Sequence, residues 1–354
     1  MLLKGIKIAV LALTFQSATA LADATKVDTA LFASLDAEYA KRGEWIDNNA
    51  ANEKNFLDLI AAYDKLITDK KLSGDNLFYA VGQANRLVHF YGDSVLTDSE
   101  VDQKKRISVF KACVDRTNKN IDTKKLSAEF QADIYRNQYT YWRMSCLAFQ
   151  AEFSHLIDKV KLAAILIDIR DNELDLEVKL DAKPVAKIEM KSTVGNICYE
   201  AGGILRTFSG VYSNEAAKSV NLFRPDESVV LAQQALNQAA NQVAYCTLSG
   251  ADDLSNTLYY AEALIAAGKN SKIAGEEAKK SAEAKAYIEN TVICKFLTDD
   301  STGDCDLSSA TAEAAYAVIS DVNVAEDKSV WLNTGSLPEA RADLKKIFDL
   351  YNTL

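Results

Sequence analysis

Residues 56–67 read Phe-Leu-Asp-Leu-Ile-Ala-Ala-Tyr-Asp-Lys-Leu-Ile. The large apolar side chains recur here at intervals of three and four, at Phe56, Leu59, Ile60, Tyr63 and Ile67. This is the period of an α-helix with one buried face, whereas a half-buried strand alternates at every second residue. The stretch therefore predicts an amphipathic helix.

The same period recurs along the chain, in the stripes Tyr135, Tyr139, Trp142, Cys146, Phe149 and Val229, Ala232, Leu236, Ala239, Val243, Cys246. Breakers are scarce, since the 354 residues include only 14 glycines and 3 prolines. Phe78, Val81-Gly82 and Gly92 fall where a tetratricopeptide repeat places its first helix and its turn. We expect an all-α fold, an α-solenoid or helical bundle of antiparallel helix pairs that resembles degenerate tetratricopeptide repeats.

One region departs from the helical pattern. Between residues 174 and 191, Leu174, Leu176, Val178 and Leu180 alternate with charged residues until Pro184 interrupts them. Alternation is typical of a strand, so we expect an irregular connection that includes a short extended piece.

The first 22 residues resemble a secretory signal. Lys4 and Lys7 precede a short apolar run, and Ala20-Leu21-Ala22 offers small residues before a cleavage point. The apolar run is too short for a spanning helix, which needs ~20 residues. We expect residues 1–22 to be a cleaved signal peptide and residues 23–354 to be a single helical domain in the periplasm, with no membrane insertion.

Charge and cysteine content agree with export. The net charge is −10, from 40 Lys and Arg against 50 Asp and Glu, which argues against a nucleic-acid partner. An even number of cysteines in an exported protein favours disulfides. Sequential pairing is the simplest of the 15 arrangements that six cysteines allow; it joins Cys113 to Cys146, Cys198 to Cys246 and Cys294 to Cys305.

No motif in the chain predicts a cofactor, a metal site or a catalytic centre. Zinc-ligand spacing, the nucleophile elbow, the P-loop and the dinucleotide fingerprint are all missing. The two histidines, His89 and His155, fit packing or helix-end roles better than catalysis. The run from Asp299 to Asp304 lacks the alternating ligands of a calcium loop, so we interpret it as a solvated loop.

Two segments are candidates for a ligand-facing surface. Tyr139 and Trp142 share one helical face, which either lines a groove or packs into the core. Gly202-Gly203-Ile-Leu-Arg206 combines paired glycines, which permit close approach of another group, with a cation. Arg206 either meets an anionic ligand or pairs with a neighbouring acid.

These segments carry a family resemblance, together with the early helix pair 37–43 and 61–66 and the C-terminal run Leu337-Pro-Glu-Ala-Arg-Ala-Asp-Leu-Lys-Lys-Ile-Phe348. In this order they resemble the T component of tripartite ATP-independent periplasmic (TRAP) transporters. The resemblance implies a non-catalytic helical protein that associates with the transporter's periplasmic substrate-binding protein and handles a small organic ligand. It also implies that Tyr139, Trp142 and Arg206 face that ligand. Family members can be lipoproteins, which carry a cysteine directly after the cleavage point. This chain has none there, since its first cysteine is Cys113.

Two other functions stay open. A generic periplasmic helical-repeat scaffold would bind only proteins, through an exposed groove. A helical enzyme would need a cleft that holds a carboxylate or histidine with a strongly shifted pKa. The sequence leaves the ligand's identity and homo-oligomerisation undetermined.

Overall fold

A computed structural model describes residues 27–45, 47–120, 133–174, 176–180, 187–190, 200–238, 249–294 and 337–354, with the backbone alone for 133–139, 187–190 and 337–342. The predicted signal peptide, Cys198, Cys246, Cys305 and the loop 299–304 lie outside these residues, and so does the end of the third stripe.

The described chain is mainly helical, so the predicted all-α class is confirmed. The α-helices are α1 (Thr29–Ala40), α2 (Ala50–Asp69), α3 (Gly74–His89), α4 (Glu100–Asn120), α5 (Asp133–Phe153), α6 (Leu156–Asp168), α7 (Gly203–Ser213), α8 (Pro225–Leu236), α9 (Leu254–Asn270), α10 (Glu276–Ile288) and α11 (Leu337–Tyr351). Three of them continue as single π-helical turns, at Phe90–Val95, Ile169–Leu174 and Glu289–Ile293. Short 3-10 helices occupy Lys41–Trp45, Glu215–Val220 and Gly250–Asp252. No described helix is long and apolar enough to cross a membrane.

Helix α2 shows why these sequences fold as they do. Asn49 caps its first turn by accepting hydrogen bonds from the amides of Ala51 and Asn52. All five apolar residues of the stripe predicted for residues 56–67 are buried. The helical period therefore places one continuous apolar face in the core.

The alternating region forms a hairpin. Strand β1 (Leu176–Lys179) pairs antiparallel with strand β2 (Lys187–Met190), with Leu176 opposite Met190. The predicted extended piece is confirmed in β1, and the second strand is an addition to it. The connection that holds Pro184 lies outside the described residues.

The helices pack mainly against their neighbours in the chain, and the last helix returns to the first ones. Helix α11 contacts α9 and α10, and it also touches the 3-10 helix after α1 and the π-helical turn Phe90–Val95. The path of helices therefore closes on itself.

Two apolar cores lie along this path. The first is built from α1 to α8 and the second from α8 to α11. Helix α8 belongs to both, because Leu231 and Ala235 face the first core while Ala232 and Leu236 face the second. An apolar joint at α8 thus connects the two parts.

The first core contains the predicted Cys113–Cys146 disulfide, which joins α4 to α5. Cys294 is also disulfide-bonded. The predicted pairs Cys198–Cys246 and Cys294–Cys305 involve cysteines outside the described residues.

Candidate functional site

The three predicted ligand-facing residues lie on two helices. Tyr139 belongs to α5, where only its backbone is described. Trp142, also on α5, is 3% exposed, and Arg206 on α7 is 9% exposed. The assignment of all three to a ligand stays a prediction.

Trp142 packs inside the first core. Its ring centroid lies 4.8 Å from that of Tyr141 and 5.2 Å from that of His89. Its indole N–H is buried and has no hydrogen-bond partner in the described chain. In the described chain Trp142 therefore makes packing contacts, as expected if its helical face packs into the core.

His89 is a neutral packing histidine. Burial lowers the pKa of its imidazole to about 4, so it carries no charge near neutral pH. Its Nε2 lies 3.1 Å from the Ser145 hydroxyl and 3.6 Å from the disulfide sulfur of Cys146.

Arg206 is paired with an acid, as one of its two interpretations requires. Its Nη1 lies 3.1 Å from the Asp253 carboxylate and donates to the Asn256 side chain at 3.0 Å. Asn256 in turn donates to the carbonyls of Ala201 and Gly250. Burial disfavours the Arg206 charge, but Asp253 and two nearby tyrosines outweigh it and raise the pKa of Arg206. Arg206 is thus a buried, permanent cation that ties α7 to the start of α9.

The paired glycines before Arg206 permit the close contact expected of them. Gly202 adopts a left-handed φ of +85°, and a Cβ on Gly203 would lie 2.5 Å from a ring carbon of Tyr141. A larger residue at position 203 would therefore displace Tyr141, which stands between Trp142 and Gly203.

A second set of polar side chains, from different helices, interacts around the contact between α11 and the turn after α3. We call it the central polar cluster: Asp93, Glu152, Tyr259, Glu262, Asp343 and Lys346. Its members come from the π-helical turn after α3, from α5, from α9 and from α11. The Lys346 ammonium lies 2.5 Å from the Asp93 carboxylate, and Ser255 donates a hydrogen bond to Asp343. Asn214 donates to Glu152 at 3.2 Å.

The side chains of the cluster are partly or fully solvent-exposed, yet the surrounding protein shifts their pKa values. Glu152 and Glu262 are solvent-exposed, and the Asp93 and Lys346 side chains are 34% and 36% exposed. Nevertheless, desolvation raises the pKa of Glu262 to about 7; Lys346 opposes this rise, and Glu152, Asp93 and Asp343 add to it. Water therefore reaches these side chains, although the protein around Glu262 still disfavours its charge.

Two more groups of the central polar cluster have shifted pKa values. Desolvation raises the pKa of Asp343 to about 6, although Lys346 and Ser255 oppose the shift. Desolvation also opposes ionisation of Asp93, but Lys346 outweighs it and lowers the pKa of that carboxyl. Near neutral pH the central polar cluster therefore contains carboxyl groups that can donate hydrogen bonds as well as carboxylates that accept them.

Sequence reasoning missed this cluster, although part of it has a helical signature. Tyr259 and Glu262 are three residues apart, as are Asp343 and Lys346, so each pair shares a helix face. Such spacings are common among 90 charged residues, and nothing in them shows which four elements meet.

The described residues contain no group of three or more His, Cys, Asp or Glu side chains that could hold a metal ion. The cluster can bind through hydrogen bonds and charge, and its raised-pKa carboxyls can exchange protons near neutral pH.

A separate shallow hollow lies on the outer side, between α4, α5 and α6. Its lining is mostly apolar and includes Val114, Leu147 and Ile165. On α6, Leu156, Ile157 and Val160 are 60%, 73% and 49% exposed. This outer strip is a second candidate surface, of a kind that suits a protein partner.

Comparison with protein-family models, with curated proteins and with solved protein structures finds no match to this chain.

Proposed function

We propose that this protein is an exported, non-catalytic binding protein. In its sharpest form it is an accessory T component of a TRAP transporter, which handles a small organic ligand at the central polar cluster. The observation that carries the proposal is the return of α11 to the elements after α1 and α3, which brings Lys346 to Asp93 in the central polar cluster. Enclosed, mostly pre-formed spaces with a few convergent polar groups are typical of small-molecule sites.

Two of the predicted residues, Trp142 and Arg206, lie next to groups that belong to the cluster or adjoin it. Trp142 packs on His89, which lies four residues before Asp93 of the cluster. Arg206 interacts electrostatically with Tyr259. We therefore assign Trp142 and Arg206 a positioning role beneath the ligand-lining side chains, and the resemblance still places Tyr139 at the ligand.

The wall is more polar than an apolar ligand would require. Carboxyl groups, the Tyr259 hydroxyl and the Lys346 ammonium offer donors and acceptors. Hydrogen bonding would then determine which ligand is accepted, and the ligand should carry polar groups on at least one end.

The exposed strip on α6 favours the alternative function, a scaffold for protein–protein interaction. Leu156, Ile157 and Val160 present apolar surface in the described chain. A substrate-binding protein docked on this strip would also fit the T-component proposal, so the two functions differ in whether a ligand is held.

The raised pKa of Glu262 is the one observation that favours an enzyme. A carboxyl group with a pKa of about 7 can serve as a general acid or base. Desolvation, with a smaller effect of neighbouring carboxylates, produces this shift without catalysis, so an enzyme ranks third.

Cross-linking in the periplasm tests the proposal. The tagged full chain, cross-linked in its own host and analysed by mass spectrometry, should capture the substrate-binding protein of a TRAP transporter. Ile157→Asp would test whether the α6 strip is the contact, with Leu180→Asp on the hairpin as an exposed apolar control. Recovery of no such subunit from wild-type protein would contradict the transporter assignment.

A further inference from the structure

Helix α6 carries two apolar stripes, on opposite faces. The buried stripe includes Leu162 and Leu166, which pack into the first core. The second stripe consists of Ile157, Val160 and Ala164, which recur at intervals of three and four and are exposed in the described chain. We call it the exposed stripe. One apolar stripe anchors a surface helix to its own core, so the exposed stripe is surface left over for another molecule.

The shallow hollow described above lies beside the C-terminal half of the same helix. Helix α6 contributes Ala164, Ile165 and Asp168 to its lining, while α4 contributes Val114 and α5 contributes Leu147. The hollow has a volume of about 340 Å³, roughly twice the ~150 Å³ of an apolar cavity that binds benzene. It therefore has room for two branched apolar side chains.

The exposed stripe and the hollow complement each other across a two-fold axis. The large side chains of the stripe, Ile157 and Val160, belong to the N-terminal half of α6, whereas the hollow lies beside its C-terminal half. Two copies of α6 that cross antiparallel near Ala164 would place each N-terminal half over the other copy's hollow. The small side chain of Ala164 lets the two helices approach closely at the crossing. Both copies then contribute the same surface, as in a closed two-fold dimer.

The charges on this face have the same two-fold arrangement. Lys161 and Asp168 lie on either side of Ala164 and about two helical turns apart. An antiparallel crossing near Ala164 sets Lys161 of each copy opposite Asp168 of the other. Within the described chain, Lys161 pairs with the exposed Asp158 at 3.3 Å, a surface contact that contributes little. A parallel crossing would set like charges against each other, so charge favours the antiparallel one.

The size of the surface indicates how tightly two copies would bind. Helix α6 has 13 residues, which makes it about 20 Å long. One helix face and the hollow beside it lie at the low end of specific interfaces, below ~1,200 Å² in total, where complexes are weak and transient. We therefore expect a dimer that exchanges with the monomer at micromolar concentrations.

We propose that the protein forms a two-fold symmetric homodimer through α6, in which Ile157 and Val160 of each copy enter the hollow of the other. This inference concerns assembly and does not depend on the transporter assignment or on any ligand.

Sedimentation velocity of the purified protein, at concentrations from about 1 µM to about 200 µM, tests the dimer. The sedimentation coefficient should rise with concentration toward that of two chains. Ile157→Asp carries a charge into the apolar hollow, so it should raise the dissociation constant at least about tenfold. Ile273→Asp is the matched control, because Ile273 is 69% exposed, against 73% for Ile157, and lies between α9 and α10. It should leave the dissociation constant unchanged.

An exchange of charges tests the antiparallel register. Lys161→Asp alone or Asp168→Lys alone sets like charges opposite each other and should weaken the dimer about fivefold. The two changes in one chain bring opposite charges together again and should restore most of the association.

Three results would overturn the proposal. The first is a wild-type protein that stays monomeric at every concentration, including the case in which Ile157→Asp removes only a different protein from cross-linked complexes, since the stripe then belongs to that protein. The second is a dimer that Ile157→Asp leaves intact. The third is a double charge exchange that associates no better than either single change.

Discussion

At the residue scale, Arg206 is the clearest link between sequence and structure. The glycine pair and the arginine stand out in the sequence, and the structure shows the glycines admitting Tyr141 and the arginine pairing with Asp253. The acid partner could not be chosen from the sequence, because it lies 47 positions later and the chain has 50 carboxylates. The sequence therefore left open whether Arg206 meets an anionic ligand or a neighbouring acid, and the fold was needed to identify Asp253 as its partner.

Asp253→Asn should destabilise the protein strongly. It leaves the Arg206 charge buried without its counter-ion, which typically costs about 3–5 kcal/mol. Urea unfolding measures the change in the free energy of unfolding. Asp58→Asn, which removes an exposed partner of Lys54, should change it by less than about 1 kcal/mol and serves as the control. Similar effects of the two variants would show that the Arg206 pair is not buried as described.

At the scale of elements, periodicity predicted what the helices bury but not how they end. The stripe in α2 and the start of the stripe in α8 are confirmed, because apolar spacing alone decides which helix face is buried. The π-helical turns after α3, α6 and α10 have no comparable signal, since they depend on how each helix meets its neighbours. The turn after α3 is the one that places Asp93 in the central polar cluster, beside Lys346.

The junction between α8 and α9 depends on a glycine. A Cβ on Gly250 would lie 1.8 Å from the carbonyl oxygen of Ala235, so the backbone has to move. We expect Gly250→Ala to lower the free energy of unfolding by about 2–3 kcal/mol.

Gly74→Ala is the matched control for Gly250→Ala. Gly74 has a φ of +55° and no atom near its missing Cβ, so it should cost only about 1 kcal/mol of backbone strain. Denaturant unfolding of both variants measures the loss of unfolding free energy. A smaller loss in Gly250→Ala than in Gly74→Ala would contradict this description of the α8–α9 junction.

At the scale of the whole molecule, the excess of interior carboxyls predicts how stability depends on pH. Glu262 and Asp343 have folded-state pKa values above their usual values, at about 7 and about 6, so their contribution is most favourable at low pH and is lost as pH rises toward 7. Asp102 acts in the opposite direction, because hydrogen bonds from Thr97 lower its pKa to about 2 despite burial. We expect maximum stability at about pH 4, where the contribution of Asp102 is nearly complete and that of Glu262 and Asp343 is not yet lost.

Thermal melts between about pH 3 and about pH 8 check this dependence. The stability lost above the maximum should be about 2 kcal/mol after allowance for solvent screening of the exposed Glu262. Glu262→Gln should remove most of that loss, whereas Glu283→Gln on the outer side of α10 should not. A wild-type stability that rises steadily from pH 5 to pH 8 would be inconsistent with a crowded interior.

The central claim is that the central polar cluster binds a small organic molecule. Native mass spectrometry of the protein, purified from its own host, tests it most directly, with Glu262→Ala as the lining variant and Glu283→Ala as the control. We predict a bound organic mass on the wild type and on the control, and its loss from the lining variant. A wild-type chain that carries no added mass even after incubation with periplasmic extract, or a lining variant that retains the mass in full, would contradict the claim.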